Sequence, residues 1–133
     1  NLYPTTLHAI NSCLIKLSKV TRVTKVFRGV GGGVLPAAFL EPDEYSVCSA
    51  VDIGFLSTSL ERSVAVTYAG SGAAATVFEM EMGMVDRGAE LAWLSQYPHE
   101  RECAFPPLTP FTIEQLQSRC PPLPAPPHTA PRA

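Results

Sequence analysis

Charge and aromatic residues are both scarce in this sequence. Only 17% of its 133 residues are charged and 8% are aromatic, and the ten Lys and Arg are scattered among twelve Asp and Glu. A net charge of -2 without a basic stripe leaves no electrostatic footprint for a polyanion, so nucleic acid is not an expected partner. Long hydrophobic runs are missing too. The longest uncharged stretch, Ser63 to Phe78, is broken by Thr67, Ser71 and two glycines, and it falls short of the roughly 20 apolar residues of a membrane helix. A soluble domain without a transmembrane span is expected. The chain opens at Asn1 with no basic segment leading into an apolar run, so no signal peptide is visible and the compartment is unknown.

Metal and nucleotide fingerprints are equally absent. Cys13, Cys48, Cys103 and Cys120 form no C-x-x-C, and no Cys or His clustering suits tetrahedral zinc, so no metal is expected. A bridge between Cys13 and Cys120 would tie the two ends together in an oxidising compartment; four buried thiols are the alternative. Gly29, Gly31, Gly32 and Gly33 follow a candidate strand, yet Val34 replaces the third glycine of a dinucleotide-binding loop and Pro36 blocks a prompt helix. No glycine-rich stretch leads into Lys and Ser or Thr, and Ser71 lacks the later glycine of a nucleophile elbow. His8, His99 and His128 are too dispersed to act together.

What remains is an ordinary folding chain, 46% hydrophobic, of a length that buries one core. Leu7, Ile10, Leu14 and Leu17 recur at helical steps and predict an amphipathic helix over 5–18. Thr24 to Arg28 reads as a strand that the following glycines end, and Val34 to Val51 as irregular with at most one helical turn. Ile53 to Leu56 reads as a strand running into Ser57, Thr58 and Ser59. There Thr58 and Glu61 fit a capping box, and the stripe Leu60, Val64, Ala65, Tyr68 and Ala69 predicts a helix stopping at Gly70. Ala75 to Met82 alternates as a strand with one wetter face; Ala89 to Leu94 and Arg101 to Phe105 are further strands, with a turn around Pro98 between them. Phe111 to Gln117 closes the domain as a strand or a helix. Residues 1–118 are then one domain, and 119–133, with six prolines from Pro121 to Pro131, a tail or linker.

Three separated elements carry chemistry: Arg28 at a strand end, Ser57-Thr58-Ser59 at a strand-to-helix junction, and Glu100-Arg101-Glu102 entering a late strand. In extended backbone Glu100 and Glu102 share a face and Arg101 points away. Paired carboxylates suit a reaction at an anomeric carbon, whose oxocarbenium-like transition state develops positive charge. A guanidinium fork gives two parallel charge-assisted bonds to phosphate oxygens and so positions a phosphate as well as attracting it.

Together these residues resemble the arginine-serine-glutamate class of ADP-ribosyltransferases. The likeness rests on Val26-Phe27-Arg28-Gly29, Phe55-Leu56-Ser57-Thr58-Ser59 and Tyr97-Pro98-His99-Glu100-Arg101-Glu102 in the family's order, and it runs from about Lys25 to Pro107. Tyr97 stands where the family has an aromatic residue before the first glutamate of its E-x-E signature. The resemblance implies an α+β domain of two roughly perpendicular antiparallel sheets around an NAD cleft, with flanking helices. The family's domains carry more helix before the first motif, which implies a trimmed or minimal version here.

The resemblance also implies the roles. Arg28 would bind the NAD phosphates and Gly29 would offer backbone hydrogen bonds to the nicotinamide amide. Ser57 would orient Glu102, the catalytic glutamate, while Glu100 would position or deprotonate an acceptor arginine. Thr58, Ser59 and Tyr97 complete the candidate NAD-binding set. Tyr68 joins it as a residue that could stack on nicotinamide, although its place in the apolar stripe also fits the core. The expected activity is transfer of ADP-ribose from NAD, the co-substrate, to a protein arginine with release of nicotinamide. An NAD glycohydrolase on the same site and a non-catalytic NAD-binding module are the alternatives.

Overall fold

The computed structural model describes residues 2–32, 35, 40–42, 44–70, 75–115 and 117. The proline-rich segment and Cys120 lie outside them. Helix α1 (Pro4–Ser18) is followed by strands β1 (Lys25–Gly31), β2 (Ser49–Asp52) and β3 (Leu56–Ser59), then helix α2 (Arg62–Ala69). Strands β4 (Ala75–Glu81), β5 (Ala89–Glu90), β6 (Glu102–Phe105) and β7 (Thr109–Thr112) complete the order, with a 3-10 turn at Pro98–Glu100 before β6. The described strands form two antiparallel sheets, one ordered β4-β1-β3-β6-β5 and one pairing β2 with β7. No helix among the described residues is long and apolar enough to cross a membrane.

The core follows the alternation of the central strands. Val26, Leu56, Met82, Cys103 and Phe105 form one buried cluster, with Leu60 and Met80 packed against it. A second joins Leu14 of α1 to Ala89 and Ala104, flanked by Leu17, Phe55 and Leu91. Thr21 ties α1 to β5: its Oγ1 donates to Leu17 O at 3.1 Å and accepts from Glu90 N at 3.0 Å, and its carbonyl accepts from Arg87 Nη1 at 3.1 Å. Only the C-terminal half of α1 is engaged in this way, since Leu7 and Ile10 are exposed. Burial pushes the Cys103 thiol up to about 12, with the Glu90 charge adding to it. Cys13, by contrast, is exposed and Cys48 partly so, so the described thiols do not share one buried environment.

Several expectations are corrected. Strand β1 does not end at the glycines but runs through Gly29 and Gly31. The glycines are needed there because α2 lies on the strand: a Cβ on Gly29 would stand 1.8 Å from Ala65 O, and one on Gly31 2.9 Å from Ala69 O. Residues 57–59 are strand and not the start of a helix. Thr58 is paired with Cys103 and donates its hydroxyl to that carbonyl at 2.6 Å, so it caps nothing, and α2 starts at Arg62 with no side-chain cap. Its end is as expected, at Gly70 with φ 73. The end of the stretch expected to be irregular, 49–51, is strand and continues to Asp52, because β7 supplies a partner in register from Ser49↔Thr112 to Asp52↔Thr109. Of the predicted 89–94 strand only Ala89 and Glu90 are strand; Leu91 N still donates to Glu102 O at 2.8 Å, but Leu91 O accepts from Leu94 N and Ser95 N, both at 2.9 Å, which turns the chain. The closing element is strand β7, starting at Thr109.

The Gly29 contact predicts that Gly29→Ala forces β1 and α2 apart and costs about 3 kcal/mol, the upper end for overpacking. Gly54→Ala, whose nearest obstacle is Asp52 Oδ1 at 3.7 Å, should stay within about 0.5 kcal/mol; urea midpoints measure both. Alkylation of the native chain, read by mass spectrometry, should label Cys13 readily and leave Cys103 unmodified until denaturant is added, because the thiolate is the reactive form.

Candidate active site

Strands β1, β3 and β6 bring the three separated motifs to one cleft of about 390 Å³, roofed on one side by α2. Phe27, Arg28 and Gly29 line it from β1, Ser57, Thr58 and Ser59 from β3, Val64, Ala65 and Tyr68 from α2, and Glu100 and Glu102 from the approach to β6. A cleft of this size lies in the range of small-molecule sites.

Arg28 is held at two points. Its Nη1 donates to Ser57 O at 3.0 Å, and its Nη2 lies 3.5 Å from Asp52 Oδ2 on the second sheet. Asp52 is itself oriented, because its Oδ1 accepts from Gly54 N at 3.0 Å. The guanidinium therefore joins the two sheets beside the cleft. A further link between them is the edge-on contact of Phe78 with Phe111, ring centroids 5.9 Å apart.

The hydroxyls of β3 divide between the glutamates. Ser57 Oγ donates to Glu102 Oε1 at 2.6 Å. Ser59 Oγ donates to the backbone carbonyl of Glu100 at 2.6 Å and accepts from Glu61 N at 2.9 Å. Thr58 turns inward to Cys103 and reaches the cleft only as one of its walls. The two serines are two apart on a strand and so share a face, on which Ser59 stands opposite Glu102.

Glu100 and Glu102 share the cleft by another route than extended backbone. Pro98 opens a 3-10 turn that ends at Glu100, Arg101 is left-handed with φ 45, and the strand begins at Glu102. A non-glycine residue pays for that conformation and needs surroundings that fix it. They do: Arg101 O accepts from Leu60 N at 3.1 Å, and its Nη1 pairs with Glu61 Oε1 at 2.6 Å. Tyr68 is no core residue. It is 63% exposed, and its hydroxyl donates to Glu100 Oε1 at 2.7 Å. That hydrogen bond, followed by the Glu100 charge, raises the phenol above its ordinary range. Tyr97 is not brought to the cleft wall; it is exposed and stands edge-on to His99, centroids 6.2 Å apart.

The sequence model of a family described as NAD:arginine ADP-ribosyltransferase matches residues 1–121. The chain belongs to that family. Among solved structures, the crystal structure of ADP-ribosyltransferase HopU1 of Pseudomonas syringae pv. Tomato DC3000 matches with a TM-score of 0.64 at 23% identity. The match covers 84% of this chain and 47% of that one, so this chain spans about half the length of its structural relative and shares its fold. No curated protein matches the chain.

Within this ADP-ribosyltransferase fold, sequence reasoning missed Asp52, Glu61 and the cleft-lining Phe27, Val64 and Ala65. Asp52 carried one signal, the Asp-x-Gly turn that orients its carboxylate. In the sequence Phe27, Glu61, Val64 and Ala65 read for other roles, in the Val26-Phe27-Arg28-Gly29 motif, a capping box and a helical stripe, and nothing local tells that they line the cleft or face Arg101.

Ser59 is buried and serves two backbone groups at once. Ser59→Ala should therefore cost about 1 to 3 kcal/mol, the range for leaving buried polar groups unsatisfied. Ser57→Ala, at an exposed position, should change stability by less than about 0.5 kcal/mol. Thermal unfolding of the two variants distinguishes them.

Proposed function

We propose that this chain is an arginine-specific mono-ADP-ribosyltransferase that moves ADP-ribose from NAD to a protein arginine and releases nicotinamide. The observation that carries the reading is the convergence of Arg28, Ser57 and Glu102 from three strands, and of Glu100 from the turn before the third, on one cleft, in a chain of the NAD:arginine family. A separate domain over 1–118 with a linker beyond it fits this reading.

In the proposed reaction Arg28 grips the pyrophosphate of NAD with the planar fork that suits phosphate oxygens, and Asp52 and Ser57 O keep that fork in place. The Gly29 backbone, pressed against α2, would take the nicotinamide amide. Thr58, Ser59 and Tyr68 would form neighbouring wall, and Tyr97 would enter only if the ligand reaches beyond the cleft. The bond between the ribose anomeric carbon and the nicotinamide nitrogen breaks with both electrons leaving on nicotinamide. Positive charge then develops on the ribose, and Glu102, fixed by Ser57, stabilises it and holds the 2′-hydroxyl. A guanidinium nitrogen of the acceptor attacks the same carbon, and Glu100 positions that group and takes its departing proton. Binding before attack turns an encounter of two solutes into a reaction of neighbours.

An NAD glycohydrolase would use the same cleft, with water attacking in place of the guanidinium. Glu100 favours transfer, because a second carboxylate facing the cleft serves a cationic acceptor and is not needed by water.

The experiment is incubation with NAD, measuring nicotinamide released and ADP-ribose attached to a small guanidine acceptor. Both should appear together. Glu102→Gln should lower nicotinamide release at least about 100-fold, the scale of losing one fixed charge-stabilising group. Glu100→Gln should shift product from adduct to free ADP-ribose. A fully active Glu102→Gln protein would sink the mechanism.

A further inference from the structure

The two glutamates of the cleft are held by different kinds of support. Glu102 begins a strand whose backbone is paired on both sides, with β3 and β5. Glu100 ends a 3-10 turn, next to a left-handed residue. Its backbone is anchored by Ser59, but its carboxylate is anchored by Tyr68, at 2.7 Å from Oε1. A long, half-exposed side chain on a turn spreads over several rotamers unless something selects one, and each such freedom costs free energy when an acceptor must be gripped.

Tyr68 is built to make that selection. It stands on α2, whose Ala65 and Ala69 are buried and whose backbone lies against the glycines of β1. The base of the side chain is therefore fixed, and a tyrosine has only two torsions to order. Its ring is exposed, so burial does not explain why a tyrosine stands there. Stacking on nicotinamide would need the ring alone. The hydroxyl has a partner in Glu100, which distinguishes the two roles.

We propose that Tyr68 is the positioning residue for acceptor choice: its phenol fixes the Glu100 carboxylate so that an arginine guanidinium, and not water, receives the ADP-ribose. The proposal rests on the transfer reading above and names the residue that gives that site its selectivity. Tyr68 acts through Glu100, leaving the bond that breaks to Glu102. Its proton is held firmly, since the Glu100 hydrogen bond and charge, then desolvation, then the charges of Glu102 and Tyr97 all raise the phenol. The donor is thus present at neutral pH and is lost only as pH rises through that raised value.

Tyr68→Phe keeps the ring and removes the hydroxyl, so one set of assays on the full chain decides the matter. With NAD and a small guanidine acceptor, the share of released ADP-ribose found on the acceptor should fall about tenfold, the scale of one hydrogen bond to a charged group. Nicotinamide release should fall much less. A product split equal to that of the unsubstituted chain overturns the proposal, as does an equal loss of release and adduct, which would mean that Tyr68 serves NAD binding.

A second measurement needs no activity. Ultraviolet titration of the chain minus that of Tyr68→Phe isolates this phenol. It should titrate above an ordinary tyrosine and return toward the ordinary value in Glu100→Gln. An ordinary value in the unsubstituted chain overturns the contact. Absence of any nicotinamide release from the unsubstituted chain would instead overturn the transfer reading, and the titration would still decide whether Tyr68 holds Glu100.

Discussion

Antiparallel pairing of β3 with β6 sets Leu56 opposite Phe105, Thr58 opposite Cys103 and Ser59 opposite Glu102, and the cleft inherits the placement of its two serines against Glu102 from that register. Side chains alternate along a strand, so a slip of one residue would turn Ser57, Ser59 and Glu102 into the core and Leu56 and Cys103 out of it. The slip is opposed by the burial of Leu56, Cys103 and Phe105 in one cluster with Val26 and Met82. The same pairing fastens Thr58 to the Cys103 carbonyl beneath the site. Packing on one face of the sheet thereby fixes the chemistry on the other, and the polar residues of the cleft do not have to specify their own positions.

Close approach of α2 is the second constraint. The helix can lie on β1 only because Gly29 and Gly31 present no Cβ to it, and that contact sets the height of Tyr68 above the cleft. It also places Glu61, just ahead of the helix, within reach of Arg101. The left-handed Arg101 would be costly in isolation. Here its carbonyl bond to Leu60 and its ion pair with Glu61 both come from the segment joining β3 to α2. One short connection therefore shapes the glutamate turn from two directions.

The separated motifs were legible in the sequence because each couples a reactive residue type to a recognisable local break: Arg28 to glycine, Ser57 to a hydroxyl run, Glu100 to proline. Helix α1 and the Gly70 stop were legible from local periodicity and from the freedom of glycine at positive φ. The start of α2 was not. Three hydroxyl residues followed by a helical stripe fit a cap as well as a strand, and the choice is made by Cys103 and Glu100, far along the chain. Strand β2 was hidden for a similar reason. Its pairing with β7 spans much of the sequence, and a short strand between turn residues has too few positions to show alternation. For Tyr68 the sequence leaves a cleft role and a core role both open, because helical spacing tells which side of α2 it lies on and not where the body of the protein ends on that side; its exposure removes the core role.

Two carboxylates in one small cleft repel each other, and a donor hydrogen-bonded to each favours its charged form against that repulsion. Here the donors are distinct and come from different elements, Ser57 from β3 for Glu102 and Tyr68 from α2 for Glu100. Neither hydroxyl is shared between the glutamates in this arrangement. Groups that share no partner are expected to respond separately to change, whereas groups in one network respond together. In the proposed reaction that separation has a use. The residue that stabilises charge on the ribose must keep one geometry for every turnover. The residue that receives the acceptor must meet a partner arriving from solution. A strand position locked by its ladder serves the first demand, and a turn position steadied by a single exposed phenol serves the second.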